Sequence, residues 1–543
     1  MIGMSIPEYI FIRICIFIVQ YTTPLCITCL ALLAAAHSWS LTTVLSYPLG
    51  IVLLLYCIVD VLYAILIYIP HNRRSQEEAQ HPPQLSREER SALFQRCLTN
   101  VPDVRRYIQM WFLGADESEI RRDNVREFIL WAFFDKKPGH ESDEEEKEIH
   151  EYIETIEALL GRKLEPGRGK AESLRLTLDE VETRYRTFAW YLIVGLVDFV
   201  SHCRLVRKGF HYHALSPSKT HSVIPPRLQD LFAQKHSESE ELTYWYRPHT
   251  ATNKLPVVFL HGIGIGLYPY VPFLDRLNSK SEERDVEGHI GIIAVEVLPI
   301  SFRITEAPLG RIEFLKQIAT ILDAHGWDRF VLASHSYGTV LATHMLRSEN
   351  LTDRIASVVL IDPVTILLHL PDVAYNFTRR RPRGANEWQL WYFASMDPGV
   401  AHCLGRHFFW KDNIVWKEEL LGVVRGSLAG NGGVDDQKGR SIVKPRRKVA
   451  VCLAEQDLIV DTSTVAKYLS ADGDGWVAPN PADRGIATWL DGWSTEQDRS
   501  RCSLLTRDGI EVLWFPGLDH AQVFDSEETQ DQLCSLIRRY CKE

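Results

Sequence analysis

Phe330-Val-Leu-Ala-Ser-His-Ser-Tyr-Gly338 is the stretch on which the reading of this chain turns. Its first residues are apolar and β-prone, and Thr339 to Leu346 after it reads as a helix, so the backbone must reverse sharply at Ser336. A turn that tight requires small residues two places before and two places after its apex. Ser334 and Gly338 stand there, giving S-x-S-x-G where G-x-S-x-G is usual, and the extra hydroxymethyl of Ser334 has to be fitted. Such a strand-to-helix elbow presents the Ser336 hydroxyl at its tip.

A serine hydroxyl is a weak nucleophile at neutral pH, so it needs a base in hydrogen-bond reach and an acid that orients the base. Working outward, Val449 to Leu453 reads as a buried strand followed by Ala454-Glu-Gln-Asp457, and Glu511 to Phe515 reads as a strand followed by Pro516-Gly-Leu-Asp-His520. Asp457 and His520 thus fall in loops at the carboxyl ends of neighbouring strands. Asp362, just after the strand Ser357 to Ile361, is the alternative acid, and Glu455 could replace Asp457 in another loop register. Asp519 is expected to cap or solvate its own loop, and His261 and His335 to support their loops by hydrogen bonds rather than act as bases. An oxyanion needs two backbone donors. Tyr337 N–H, after the nucleophile, and Ile263 N–H, in the loop after strand Val257 to Leu260, are assigned to it, with Gly262 allowing that backbone to turn. The glycines at 262, 264 and 266 do not form the G-x-G-x-x-G dinucleotide fingerprint.

Six β-rich runs alternate with helical patterns after Asn253: Val257 to Leu260, Ile290 to Val297, Phe330 to Ser334, Ser357 to Ile361, Val449 to Leu453 and Val512 to Phe515. That alternation predicts an α/β fold, a mostly parallel sheet with helices on both faces, and chemistry at the strands' carboxyl ends. With H-G-I-G at 261, S-H-S-Y-G at 334, A-E-Q-D at 454 and G-L-D-H at 517, residues 253 to 530 resemble the α/β-hydrolase fold proteins of the serine esterase and lipase type. The resemblance implies ester or thioester hydrolysis through an acyl-enzyme, with no metal and no organic cofactor. An acyltransferase would share the triad, and a catalytically silent scaffold would share the fold. Epoxide hydrolases and dehalogenases carry Asp where Ser336 stands.

Between Pro363 and Lys448 lies an insertion where this fold carries its cap. Trp388, Trp391, Tyr392, Phe393, Phe408, Phe409, Trp410 and Trp416 make it read as a lid over an apolar acyl site, the substrate being a lipid or other apolar ester. Glycine-rich Gly426 to Arg440 reads as a flexible part of it. Arg379, Arg380, Arg381 and Arg383, with Lys444, Arg446, Arg447 and Lys448, form basic clusters suited to anionic head groups or to a solvated face.

At the other end, residues 14–36 hold no charge and residues 48–69 hold one, Asp60, so two membrane-crossing helices are predicted. Arg13, and then His71, Arg73 and Arg74, flank them, while His37 to Tyr47 lacks Lys and Arg. The positive-inside rule then places the catalytic domain in the cytosol, and the expected location is an integral endomembrane protein. Ala34-Ala35-Ala36 could instead end a signal peptide, and a single signal anchor would put the N-x-T sequons at Asn350 and Asn376 in the lumen. The expected division is an anchor over 1–74, a charged, mainly helical region over 75–250, and the hydrolase domain over 251–543 with its cap at about 363–448. In the middle region, Ile149 to Leu160 has helical spacing behind an acidic start, and apolar Phe188 to Val200 is too short to span, so it reads as a core or interfacial helix.

Sixty Lys and Arg against seventy Asp and Glu leave a net charge of −10, which argues against nucleic acid as a partner. Eleven scattered cysteines give no disulfide framework, and the lone C-x-x-C at Cys26 and Cys29 lies in an apolar run without the second pair that zinc requires.

Overall fold

The computed structural model describes residues 2–35, 43–215, 223–278, 288–422, 447–470, 503–506 and 508–542. Its centre is a ten-stranded sheet: β1 (His211–Ala214), β2 (Lys235–His236), β3 (Thr243–Arg247), β4 (Val257–Leu260), β5 (Ile292–Glu296), β6 (Phe330–His335), β7 (Ile355–Ile361), β8 (Lys448–Ala454), β9 (Ser503–Leu505) and β10 (Ile510–Phe515). The order is β2-β1-β3-β5-β4-β6-β7-β8-β10-β9, with every pairing from β5 to β10 parallel. β3 pairs antiparallel with β1 and with β5, and β9 antiparallel with β10. The sheet therefore begins before residue 251, drawing β1 to β3 from the region expected to be mainly helical.

The central strands read as unbroken Val, Ile and Leu runs because both faces are covered. Val257, Phe259, Val331, Ala333 and Ile361 share one buried cluster with Leu533 and Ile537 of the C-terminal helix Glu527–Cys541. Val258, Leu260, Leu332 and Leu360 share the other with Val340 and Leu341. Register then fixes what lies at the strand ends. Leu260 pairs with Ser334, His335 with Ile361, Ile361 with Cys452 and Ala454 with Phe515, so the loops carrying residues 261–263, 336, 362, 457 and 520 leave the sheet at one edge.

Among the described residues, three helices are long and apolar enough to cross a membrane by length and composition: α1 (Ile6–Ala35), α2 (Pro48–Ser75), and α3 (Phe188–Arg207). The third reads as too short in the sequence because polar residues begin after Val200, but the helix runs on to Arg207. Asp198 and Ser201 turn inward. Asp198 meets Arg227 at 3.0 Å and Arg303 at 2.9 Å, and Tyr191, Val194, Ser201 and Leu205 are buried beside it. Leu192, Ile193, Leu196, Phe199 and Val200 line the opposite, exposed face.

Asp60 binds these helices together. Its carboxylate accepts the Phe188 backbone N–H at 2.8 Å, at the first turn of α3, and the hydroxyls of Thr187 and of Thr23 on α1. A buried carboxylate is tolerated where donors surround it, and here the donors come from α1 and from the start of α3. The other end of α1 lies on the insertion: Ile12, Ile16 and Val19 pack with Ala385 and Tyr392, and the Arg13 guanidinium sits 3.9 Å from the Trp388 ring centroid.

Residues 87–160 form four helices, Arg87–Thr99, Val104–Trp111, Arg122–Phe134 and Asp143–Leu160, around their own aromatic core. The acidic start of the last is solvated and paired: Ser142 and Glu145 form a capping box, and Lys136 meets Glu145 at 2.7 Å. The ten described cysteines are free.

Candidate active site

The elbow forms as its residues dictate. Ser336 has φ +50°, a left-handed conformation that costs a non-glycine residue energy and that functional turns retain. Ser334, fully buried at the end of β6, fits beneath it. Gly338 is required by close approach, because a Cβ there would lie 2.3 Å from the Leu260 carbonyl oxygen. Gly262 is required for the same reason rather than for a turn: a Cβ would lie 2.7 Å from Ser336 Cβ and 2.8 Å from His335 Nδ1.

Three of the residues picked out from the sequence meet. His520 Nε2 lies 2.8 Å from Ser336 Oγ, and His520 Nδ1 lies 2.7 Å from Asp457 Oδ2. The other Asp457 oxygen accepts the N–H groups of Ile459 at 2.7 Å and Val460 at 2.9 Å, so the carboxylate is held on both sides. Burial opposes charge on the imidazole, but Asp457, with Asp362 and Asp519 nearby, holds His520 up to about 9.

Asp362 occupies a different position. It is buried, and its two oxygens accept the backbone N–H of Ala454 at 3.1 Å and of Ala521 at 2.8 Å. Burial would raise its carboxyl, yet His335, His520 and the Ala521 N–H keep it below its ordinary value. Glu455 is engaged by the Gly517 N–H at 2.7 Å, and Asp519 by Leu458, His520 and Asn386 donors, so neither is aimed at the imidazole.

The two other histidines brace loops. Val297 N–H donates to His261 Nε2 at 2.9 Å, which leaves the proton on Nδ1, 2.8 Å from the Gly262 carbonyl. His335 Nδ1 lies 2.8 Å from the Tyr270 hydroxyl, which in turn accepts the Gly262 N–H at 3.2 Å. Tyr270 is a supporting residue that sequence reasoning missed, since nothing about a lone tyrosine marks it. Neither Ile263 N–H nor Tyr337 N–H donates to a protein acceptor among the described residues. Both residues line the same cavity as Ser336.

That cavity is a narrow apolar slot. Val364, Leu368, Phe377, Leu404, Phe408, Phe409 and Trp410 of the insertion line it, with Trp111, Trp131 and Leu176 from the middle region. Only part of the insertion's aromatic load therefore lines the cavity. Trp388, Trp391, Tyr392 and Phe393 pack around α1, and Trp416 stacks under Arg96 at 4.0 Å. Gly426 to Arg440, Lys444 and Arg446 lie outside the described residues.

Among the described residues, two groups bring potential metal-ligand atoms within 4.8 Å of one another: Asp362, Asp457 and His520, and separately His213, Glu238 and His325. In the second, the Tyr244 hydroxyl occupies the middle, bonded to His213 at 2.7 Å, to His325 at 2.9 Å and to Glu238.

A family model described as alpha/beta hydrolase fold matches residues 256–395. No curated protein matches the chain. Among solved structures, a membrane phospholipase A described as a bacterial virulence factor is similar at 11% identity and TM-score 0.35, covering 64% of this chain and 92% of that one. A carboxylesterase of Bacillus subtilis is similar at 11% identity and TM-score 0.32, covering 63% and 98%. A naproxen esterase of Bacillus subtilis is similar at 13% identity and TM-score 0.32, covering 55% and 89%.

Proposed function

We propose that this chain is a membrane-anchored serine hydrolase that cleaves an apolar acyl ester through an acyl-enzyme on Ser336. The observation that carries the reading is the unbroken path from Asp457 through His520 to Ser336 Oγ, ending in an apolar slot beside two uncommitted N–H groups. In that arrangement His520 Nε2 takes the Ser336 proton as Oγ attacks the acyl carbonyl, and Asp457 stabilises the imidazolium that forms. The oxyanion accepts from Ile263 N–H and Tyr337 N–H, the latter at the start of the helix Gly338–Leu346, where the dipole favours negative charge. The imidazolium then protonates the leaving alcohol, and a water activated by the same imidazole releases the acid.

The membrane part rests on α1 and α2, whose apolar residues are largely exposed, and on the apolar face of α3. Basic Arg73 and Arg74 close α2 on the side from which the chain enters the catalytic region, which favours a cytosolic domain. Asn376 agrees with a cytosolic site, since its side-chain amide donates to the Ile459 carbonyl at 3.1 Å and is not free to carry sugar.

A fluorophosphonate probe on the full chain in lipid tests the reading. Labelling that disappears in Ser336→Ala supports an activated serine. A folded wild-type protein that never labels, in detergent or in lipid, overturns it.

A further inference from the structure

Residues 75–187 have no counterpart in the motifs that identify the catalytic domain, yet they reach its cavity. Trp111, Trp131, Asp135, Leu176 and Thr177 line the slot that holds Ser336, Ile263 and Tyr337. The contact is built rather than incidental. Trp131 Nε1 donates to Thr177 Oγ1 at 3.0 Å in a buried bond, and Thr177 Oγ1 also meets His81 Nε2 at 3.0 Å. Asp135 pairs with Lys411 of the insertion at 2.6 Å, both side chains only 9% exposed. Trp410 Nε1 donates to the Ala132 carbonyl at 2.9 Å, which ties the lid to the helix Arg122–Phe134.

On the other side of this partition the surroundings change character. Thr177 and Asp135 also line a polar groove with Lys136, Lys137, His140 and Arg406. The slot is thus apolar from Ser336 to Trp131 and ends where hydrogen-bonded and charged groups begin. Pushing a methylene past that point would separate Trp131 from Thr177, or Asp135 from Lys411, and leave buried polar atoms unpaired.

Resting on the hydrolase reading, we infer that residues 75–187 supply the end wall of the acyl site, with Trp131 and Thr177 as the stop that sets the longest unbranched acyl chain accepted. Each methylene the slot can bury is worth about fourfold in kcat/KM, from about 0.8 kcal/mol per buried CH₂, and the gain ceases at the wall.

The test uses the full chain in detergent with p-nitrophenyl esters of unbranched acids from acetate to palmitate. Wild type is expected to gain about fourfold per added methylene up to an optimum and then fall. Trp131→Phe, which shortens the wall, should move the optimum to longer chains. Leu176→Trp, which fills the slot from the same region, should move it to shorter ones. Opposite shifts in two variants are not the signature of misfolding. An unchanged chain-length profile in both, with normal fluorophosphonate labelling, overturns the end wall and leaves the hydrolase reading standing. If wild type neither labels nor turns over, the hydrolase reading fails and this inference fails with it.

Discussion

Asp362 Oδ2 accepts the backbone N–H of Ala521 at 2.8 Å, one residue past His520, where the chain takes a left-handed φ of +67°. The carboxylate that the sequence offered as an alternative acid therefore holds the loop that carries His520. The carboxylate that faces His520 Nδ1 belongs to Asp457.

The two aspartates should separate cleanly on mutation. Asp457→Asn leaves an amide where the imidazole needs an anionic acceptor, and kcat is expected to fall on the order of 10⁴-fold. Asp362→Asn keeps one acceptor oxygen for the Ala454 and Ala521 donors, so the loss should be about tenfold, the scale of one weakened hydrogen bond. Fluorophosphonate labelling rates of both variants check this. Equal losses would mean that Asp362 shares the acid's task.

The pH dependence follows from His520. Only the neutral imidazole can take the serine proton, and Asp457 holds His520 up to about 9, so kcat/KM should still be rising at neutral pH and level off near that value. In Asp457→Asn the residual rate should level off at lower pH, nearer the ordinary imidazole value. The same shift bears on stability with a definite sign. The folded-state value lies above the unfolded one, so the contribution is full below the ordinary imidazole range and is lost as pH rises through about 9. Rate profiles and thermal unfolding between neutral pH and 10 measure both.

The candidate constellation was legible because each member sits just past a strand, and a parallel sheet brings strand ends to one edge whatever the sequence between them. Ser336, Asp457 and His520 are far apart in the chain, but β6, β8 and β10 fix them by register. The end wall was not legible. Trp131 and Thr177 look like ordinary core residues of a helical region, and their place in the slot depends on packing between that region and the insertion, which periodicity does not encode. The length of α3 was underestimated for a related reason. The apolar run stops at Val200, whereas the helix continues to Arg207, with Asp198 paired to Arg227 and Arg303 on the inward face.

Gly262 offers a test that substitutes no residue of the triad. An added methyl would sit 2.7 Å from Ser336 Cβ and 2.8 Å from His335 Nδ1, so Gly262→Ala must displace either the nucleophile or the loop that carries Ile263 N–H. Moving one oxyanion donor costs about 10²- to 10³-fold in kcat. The variant should melt within a few degrees of wild type, because the loop rather than the sheet absorbs the change, and lose activity on that scale. Wild-type activity in Gly262→Ala would remove Ile263 from the oxyanion assignment.

The outward face of α3 should decide how the slot meets lipid rather than whether the chain is bound. Leu196 is 62% exposed and Phe199 44%, on the face opposite the Asp198 pairs, and α2 holds the start of this helix through Asp60 and Phe188. With α1 and α2 in the bilayer, the chain stays in the membrane fraction even if α3 is altered. What changes is the angle at which the catalytic domain rests on the surface. Each large apolar side chain withdrawn from lipid costs about 1.5–3 kcal/mol, so replacing two of them by carboxylates should lift this face away. Leu196→Glu with Phe199→Glu is expected to leave hydrolysis of a water-soluble short ester within about twofold of wild type, since each 1.4 kcal/mol is tenfold and no contact of the slot is lost. Hydrolysis of a long-chain ester embedded in vesicles should fall at least about tenfold on the same scale. Measuring both rates on one reconstituted preparation separates the cases. Equal losses would mean that the double substitution damages the domain, and no loss on vesicles would mean that α3 does not face lipid.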